Sequence, residues 1–212
     1  MGIVERKIRE KEQRIQEILN AARFLFITKG YRNTTMHDIA EESELSRRTL
    51  YIYFQNKEKL SYLVMKEAYE LLYKKIKTSI DGCDGSGYDK IETIGNTYLD
   101  FYENNFDQLI FTLYFDYKIN AKDMDDDEAI ACFNIMQKII EELVGIIDDG
   151  IKDGSIRAVE DSHKTALTAM TMIQSTMQKM AVRNDWITSR YKLTGKEIIE
   201  EMFAIFYAFV KA

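Results

Sequence analysis

Residues 45–57 read L45-S-R-R-T-L-Y-I-Y-F-Q-N-K57, which sets two arginines, two hydroxyls and two tyrosines on little more than two helical turns of an acidic chain. Ser46 is of the type that accepts a hydrogen bond from an amide in the first turn, so a short helix is expected to start there. Leu50 and Phe54 then fall on its inward face. Arg47, Arg48, Thr49, Tyr51 and Tyr53 are left on the remaining surface, where they can serve as donors to phosphates and base edges.

Just upstream, T35-M-H-D38 has the spacing of a capping box, the Thr35 hydroxyl meeting the Asp38 amide while the Asp38 carboxylate reaches back. A second short helix is expected from there to about Ser43, with Ile39 and Ala40 inward. The tight turn S43-E-L45 joins the two. Two capped short helices about a tight turn form a helix-turn-helix, which lays its last helix in the DNA major groove. Asn56 caps a further helix beginning at Lys57, whose N-terminus adds its own attraction for phosphate. An Arg-Arg pair alone is more often a solvated face, and aromatics at i and i+2 can be plain packing. The conjunction of caps, turn and basic residues is what favours a nucleic-acid surface.

Composition is compatible with that reading. The 212 residues carry a net charge of -6, but residues 1–60 hold 12 Lys+Arg against 9 Asp+Glu while the remainder holds 17 against 26, so the basic end is the N-terminal one. A hydrophobic fraction of 46% with 30% charged residues is that of a globular protein able to bury a sizeable core. No apolar run reaches the roughly 18 residues a membrane span needs. The charged N-terminus lacks the features of an export signal, so a cytoplasmic location is expected. Cys83 and Cys132, the only cysteines, form neither a disulfide framework nor a metal spacing.

With no proline and apolar residues recurring at three- and four-residue steps, the whole chain reads as all-α, with about nine helices. The first is expected from Ile3 to Lys29, its stripe made by Ile8, Ile15, Ile18, Leu19, Ala22 and Phe26, and Gly30 closes it. The helix from Lys57 carries two apolar stripes and is expected to be covered on two sides. After the glycine-rich linker at 82–87, helices are expected at about 88–104, 106–120, 126–152, 161–185 and 194–211. The domain division is placed at 1–56 for the helix-turn-helix and 57–212 for a second helical domain.

The runs G30-Y-R-N-T-T-M-H-D-I-A40, L45-S-R-R-T-L-Y-I-Y-F54 and N56-K-E-K-L60 resemble the DNA-binding domain of TetR-type transcriptional regulators over roughly residues 10–60. The resemblance implies a homodimer that binds a palindromic operator in double-stranded DNA, usually as a repressor, and releases it when a small molecule occupies the second domain. Carried over by position, it implies DNA contacts from Thr35, His37, Arg47, Arg48, Thr49, Tyr51, Tyr53 and Lys57. His37 could equally be an exposed helix-start histidine that touches nothing. Two positions depart from the family pattern. Glu44 stands where glycine is usual, so either the turn is less left-handed or it costs about 1 kcal/mol. Arg48 replaces a frequent small residue, which leaves base contact and phosphate contact both open.

In the second domain, the aromatic and methionine density of Met65, Tyr69, Tyr98, Phe101, Tyr102, Phe111, Tyr114, Phe115, Met136 and Met170 makes a candidate pocket for a hydrophobic or aromatic effector, although such stripes are more often plain core. Ile198, Met202, Ile205, Phe206 and Phe209 near the C-terminus, with Ala166, Met170, Ile173 and Met177 on the preceding helix, make a candidate dimer interface of four helices. The competing reading is a larger intramolecular core. No nucleophile elbow, phosphate-binding glycine loop or H-E-x-x-H is present, and His37 and His163 are the only histidines, so an enzyme is not expected and no cofactor or metal is implied. The remaining alternative is a helical protein-interaction module that never meets DNA. Salt dependence separates the two, since phosphate-driven binding weakens steeply as salt rises.

Overall fold

Most of the described helices begin at a side chain that takes over an orphan amide. In the computed structural model, which describes residues 2–116 and 126–212, Thr35, Ser46, Ser86, Asp161 and Thr194 each accept from the backbone N–H three residues on, at 3.0–3.3 Å. Thr35, Ser86 and Thr194 complete capping boxes with Asp38, Asp89 and Glu197. Asn56 does the same work for the long helix after it, its Oδ1 accepting the Lys59 amide at 2.8 Å.

The described residues form nine α-helices: α1 Ile3–Leu25, α2 Met36–Glu42, α3 Arg47–Tyr53, α4 Lys57–Asp81, α5 Gly87–Asn104, α6 Phe106–Asp116, α7 Asp127–Asp153, α8 Ser162–Tyr191 and α9 Gly195–Val210. Two differences from the sequence expectation concern helix ends. The α1 helix passes at Leu25 into one π-helical turn, Phe26–Gly30, before Gly30 leaves it at φ 83°. Helix α8 continues past 185 to Tyr191, burying Ile187 on the way, and stops where Lys192 turns left-handed at φ 60°. Among the described residues the only β pairing is a single bridge between Ile156 and Lys211, and no helix is long and apolar enough to cross a membrane.

The chain divides into two compact units. The first runs to Glu67 and includes the stretch ending at Cys132; its core is made by Ile18, Leu19, Ala22, Phe26, Ile39, Ala40, Leu50, Phe54 and Leu60, all buried. Thus α1 supplies one wall, α2 packs on it, and α3 packs on α2. Within this unit Lys59 lies 3.3 Å from Glu128, and the Cys132 thiol donates to the Tyr62 carbonyl at 3.1 Å.

The second unit takes up the chain from Ala68 and, after the first unit's later stretch, from Phe133 to the end. Helix α9 packs on α5 and α8, and α6 on α5 and α8, around Ile76, Tyr98, Phe101, Ile147, Ala166, Met177 and Ile199. A glycine sets the α5–α9 approach: a Cβ on Gly95 would lie 1.8 Å from the Tyr207 hydroxyl.

Candidate nucleic-acid interface

The turn between α2 and α3 is closed by backbone hydrogen bonds, with the buried Ser43 hydroxyl also donating to the Ile39 carbonyl at 2.6 Å. The Leu45 amide donates to the Ala40 carbonyl at 2.8 Å and the Glu44 amide to the Glu41 carbonyl at 3.0 Å. Glu44 reaches this geometry at φ 54°, a left-handed conformation that costs a residue with a Cβ roughly 1–2 kcal/mol. Of the two alternatives left by the missing glycine, the turn keeps its left-handed form and bears the strain.

On α3 the inward positions are filled by Leu50, fully buried, and Phe54 just beyond the helix. Arg47 and Arg48 are exposed and form no ion pair among the described residues. Tyr51 is 51% exposed. Tyr53 is half-buried, as is Thr49, whose hydroxyl lies 2.8 Å from that of Ser46. Five candidates thus stand on one short helix with two uncommitted cations among them.

The candidates outside α3 are more committed. The Thr35 hydroxyl donates to Asp38 Oδ2 at 2.8 Å while accepting the Asp38 amide. A hydrogen bond from Lys29, with those from the Thr35 amide and hydroxyl, holds the Asp38 carboxyl well below the usual carboxylate range. His37 is exposed, with Nε2 3.3 Å from Glu41 Oε1. Lys57 donates from Nζ to the Tyr31 and Thr34 carbonyls, both at 2.7 Å, and lies 4.2 Å from the centre of the Tyr31 ring. Two further side chains stand out that the sequence reading passed over. Arg32 is exposed and without an ion pair among the described residues, and Ile52 on α3 is 75% exposed. Ile52 was hidden by its type, since a periodicity argument assigns isoleucine to the core.

The effector candidates disperse. Tyr69, Tyr98, Met136 and Met170 do gather with Leu72, Leu109 and Met177 in the second unit, but around a space of only about 10 Å³. The Tyr98 phenol there donates to the Met170 sulfur at 3.5 Å, and burial pushes its ionisation upward. Phe101 and Phe111 are core residues. Tyr102 is half-buried, its ring edge-on to Phe106 at 5.4 Å and its hydroxyl beside Gly195. Met65 is buried in the first unit. Tyr114 and Phe115 lie outside the residues whose side chains are described.

The interface candidates divide likewise. Ala166, Met170, Ile173, Met177 and Met202 are buried within the second unit's own core. Ile198 and Phe206 are partly buried against that core. Ile205 and Phe209 remain 59% and 48% exposed, and with Met172 and Phe206 they line an open groove of about 660 Å³ bordered by Arg157 and Lys164. The Arg157 guanidinium lies 3.8 Å from the centre of the Phe209 ring.

The sequence pattern described as "Bacterial regulatory proteins, tetR family" matches residues 18–61, the stretch holding α2, α3 and the start of α4. The chain is 35% identical over 71 residues to the uncharacterized HTH-type transcriptional regulator YfiR of Bacillus subtilis (strain 168), a match covering 34% of this chain and 35% of YfiR, so the chain spans about a third of that relative's length. It is 27% identical over 150 residues to the HTH-type transcriptional repressor KstR2 of Rhodococcus jostii (strain RHA1), covering 70% of each. Its fold is similar to that of FadR from Bacillus subtilis, solved in complex with stearoyl-CoA, with a TM-score of 0.72 at 18% identity over 92% of this chain and 98% of the other.

Proposed function

We infer, from a chain that belongs through residues 18–61 to the tetR family of bacterial regulatory proteins, that it is a ligand-responsive transcriptional regulator, a repressor that grips a palindromic operator as a homodimer in the cytoplasm. The observation that carries this reading is the outward face of α3, where Arg47 and Arg48 stand exposed and unpaired among the described residues beside Tyr51. Two cations left without a carboxylate partner in a chain of net charge -6 suit a polyanion, and a capped helix after a left-handed turn is the element that enters the major groove.

Dimerisation is assigned to the apolar groove at Ile205 and Phe209, because one recognition helix binds poorly alone and two a helical turn apart, about 34–36 Å, read a palindrome. The repressor role rests on the similarity to KstR2, named a repressor. The effector is assigned to the second unit's core, and the stearoyl-CoA held by FadR, a protein of similar fold, supports a molecule with an apolar body. A space of about 10 Å³ between Tyr98 and Met170 is too small for such a molecule, so an effector binds by parting the helices rather than by filling a hole. Helix α4, whose residues enter both units, is the covalent route by which that parting reaches α3.

Selection from a pool of random-sequence duplexes by the purified protein tests the reading. Enrichment of an inverted repeat with half-sites one turn apart is expected. Recovery of no sequence above background overturns it.

A further inference from the structure

Resting on the assignment of α3 to DNA, we propose that Ile52 reads the 5-methyl group of an operator thymine, about two base pairs from a guanine taken by Arg48. Leu50 fixes the inward direction of α3, being fully buried. At about 100° per residue, Arg48 and Ile52 then lie on either side of the opposite, outermost line, one turn apart, with Arg47 and Tyr51 on one flank and Thr49 and Tyr53 on the other. Those two side chains therefore reach deepest into whatever α3 meets.

A single exposed isoleucine is common on protein surfaces. Ile52 differs in where it stands: at 75% exposure it occupies the apex of the one helix whose other outward residues are arginines, hydroxyls and tyrosines. Phosphate contact gives an aliphatic side chain nothing to do there. Of the groups lining the major groove, the thymine methyl is the one that rewards apolar contact, just as guanine O6 and N7 reward arginine. The spacing agrees. A step from i to i+4 advances about 6 Å along a helix, close to two base-pair rises of about 3.4 Å. Arg48, for which the sequence left base and phosphate contact both open, is thereby placed at a base edge.

The test replaces each thymine of the selected operator, one at a time, with deoxyuridine, which differs only by the lost methyl. Binding of the wild-type protein is expected to weaken about three- to fivefold at one thymine per half-site. Ile52→Ala is expected to bind thymine and uracil forms alike at that position. Comparing two DNAs on one variant cancels any change in its stability. If no thymine is sensitive, or if Ile52→Ala keeps the full thymine preference, the assignment of Ile52 is overturned while DNA binding stands. If the wild-type protein selects no operator, the reading of α3 fails and takes this inference with it.

Discussion

The Lys57 ammonium clasps Tyr31 from two directions, donating to its carbonyl at 2.7 Å and lying 4.2 Å from the centre of its ring. A second donation, to the Thr34 carbonyl at 2.7 Å, ties the start of α4 to the loop that leads into α2. Lys57 therefore organises the first unit whatever it contributes to phosphate binding. Lys57→Ala leaves two carbonyls without their cationic donor and is expected to lower unfolding free energy by about 1–3 kcal/mol, read from urea denaturation. A variant as stable as the wild type would make the clasp dispensable.

Glu44 is held at φ 54°, so glycine at this position removes a steric penalty. Part of the gain is returned through the greater entropy of the unfolded chain. Glu44→Gly is expected to stabilise the protein by about 0.5–1 kcal/mol, with α3 and its DNA contacts unchanged. Glu44→Val, β-branched and poorly tolerated at positive φ, is expected to destabilise. A loss of stability in the glycine variant would refute the strain argument.

Asp38 ties Lys29, at 2.8 Å, to the α2 capping box. Its folded-state ionisation lies below the ordinary range, first through the Lys29 hydrogen bond and then through Thr35. A depressed carboxyl stabilises the fold fully above the unfolded value near about 4 and loses that contribution as pH falls below it. Asp38→Asn is expected to lower the thermal midpoint at pH 7, and the gap to wild type should narrow below about pH 4. A gap that stays constant down to pH 2.5 would mean the charge is not what matters.

Ile205, at 59% exposure on the rim of the α8–α9 groove, can be changed without disturbing the core, unlike Met177 or Met202. An aspartate there puts a charge where the dimer proposal buries apolar surface, so Ile205→Asp is expected to sediment as a folded monomer with weakened operator binding. A variant that remains dimeric at micromolar concentration would move the interface elsewhere.

Local chemistry made the helix starts legible. Thr35 with Asp38, and Ser46 and Asn56 with the amide three residues on, interact over distances that one turn of sequence already defines. The outward face of α3 followed from Leu50. What escaped reading depends on partners far along the chain. Lys57 looked like a free helix-start cation because Tyr31, its partner, lies 26 residues back. Ala166, Met170 and Met177 read equally well as interface or as core, since periodicity tells that a face is buried and not what buries it. Likewise a cluster of tyrosines and methionines is the same string whether it closes on itself, as around Tyr98, or opens for a ligand.

On the proposed reading, a small cationic face on α3, with Arg47 and Arg48 exposed, binds duplex phosphates and bases. The most direct test is operator affinity across a salt titration, wild type beside Arg47→Ala and Arg48→Ala. A linear fall of log affinity with log salt is expected, with the slope shallower by about one for each arginine that meets a phosphate. With Arg48 at a base edge, Arg48→Ala should instead keep the slope and lose guanine preference. Affinity indifferent to salt, or both variants binding as tightly and as selectively as the wild type, would contradict it.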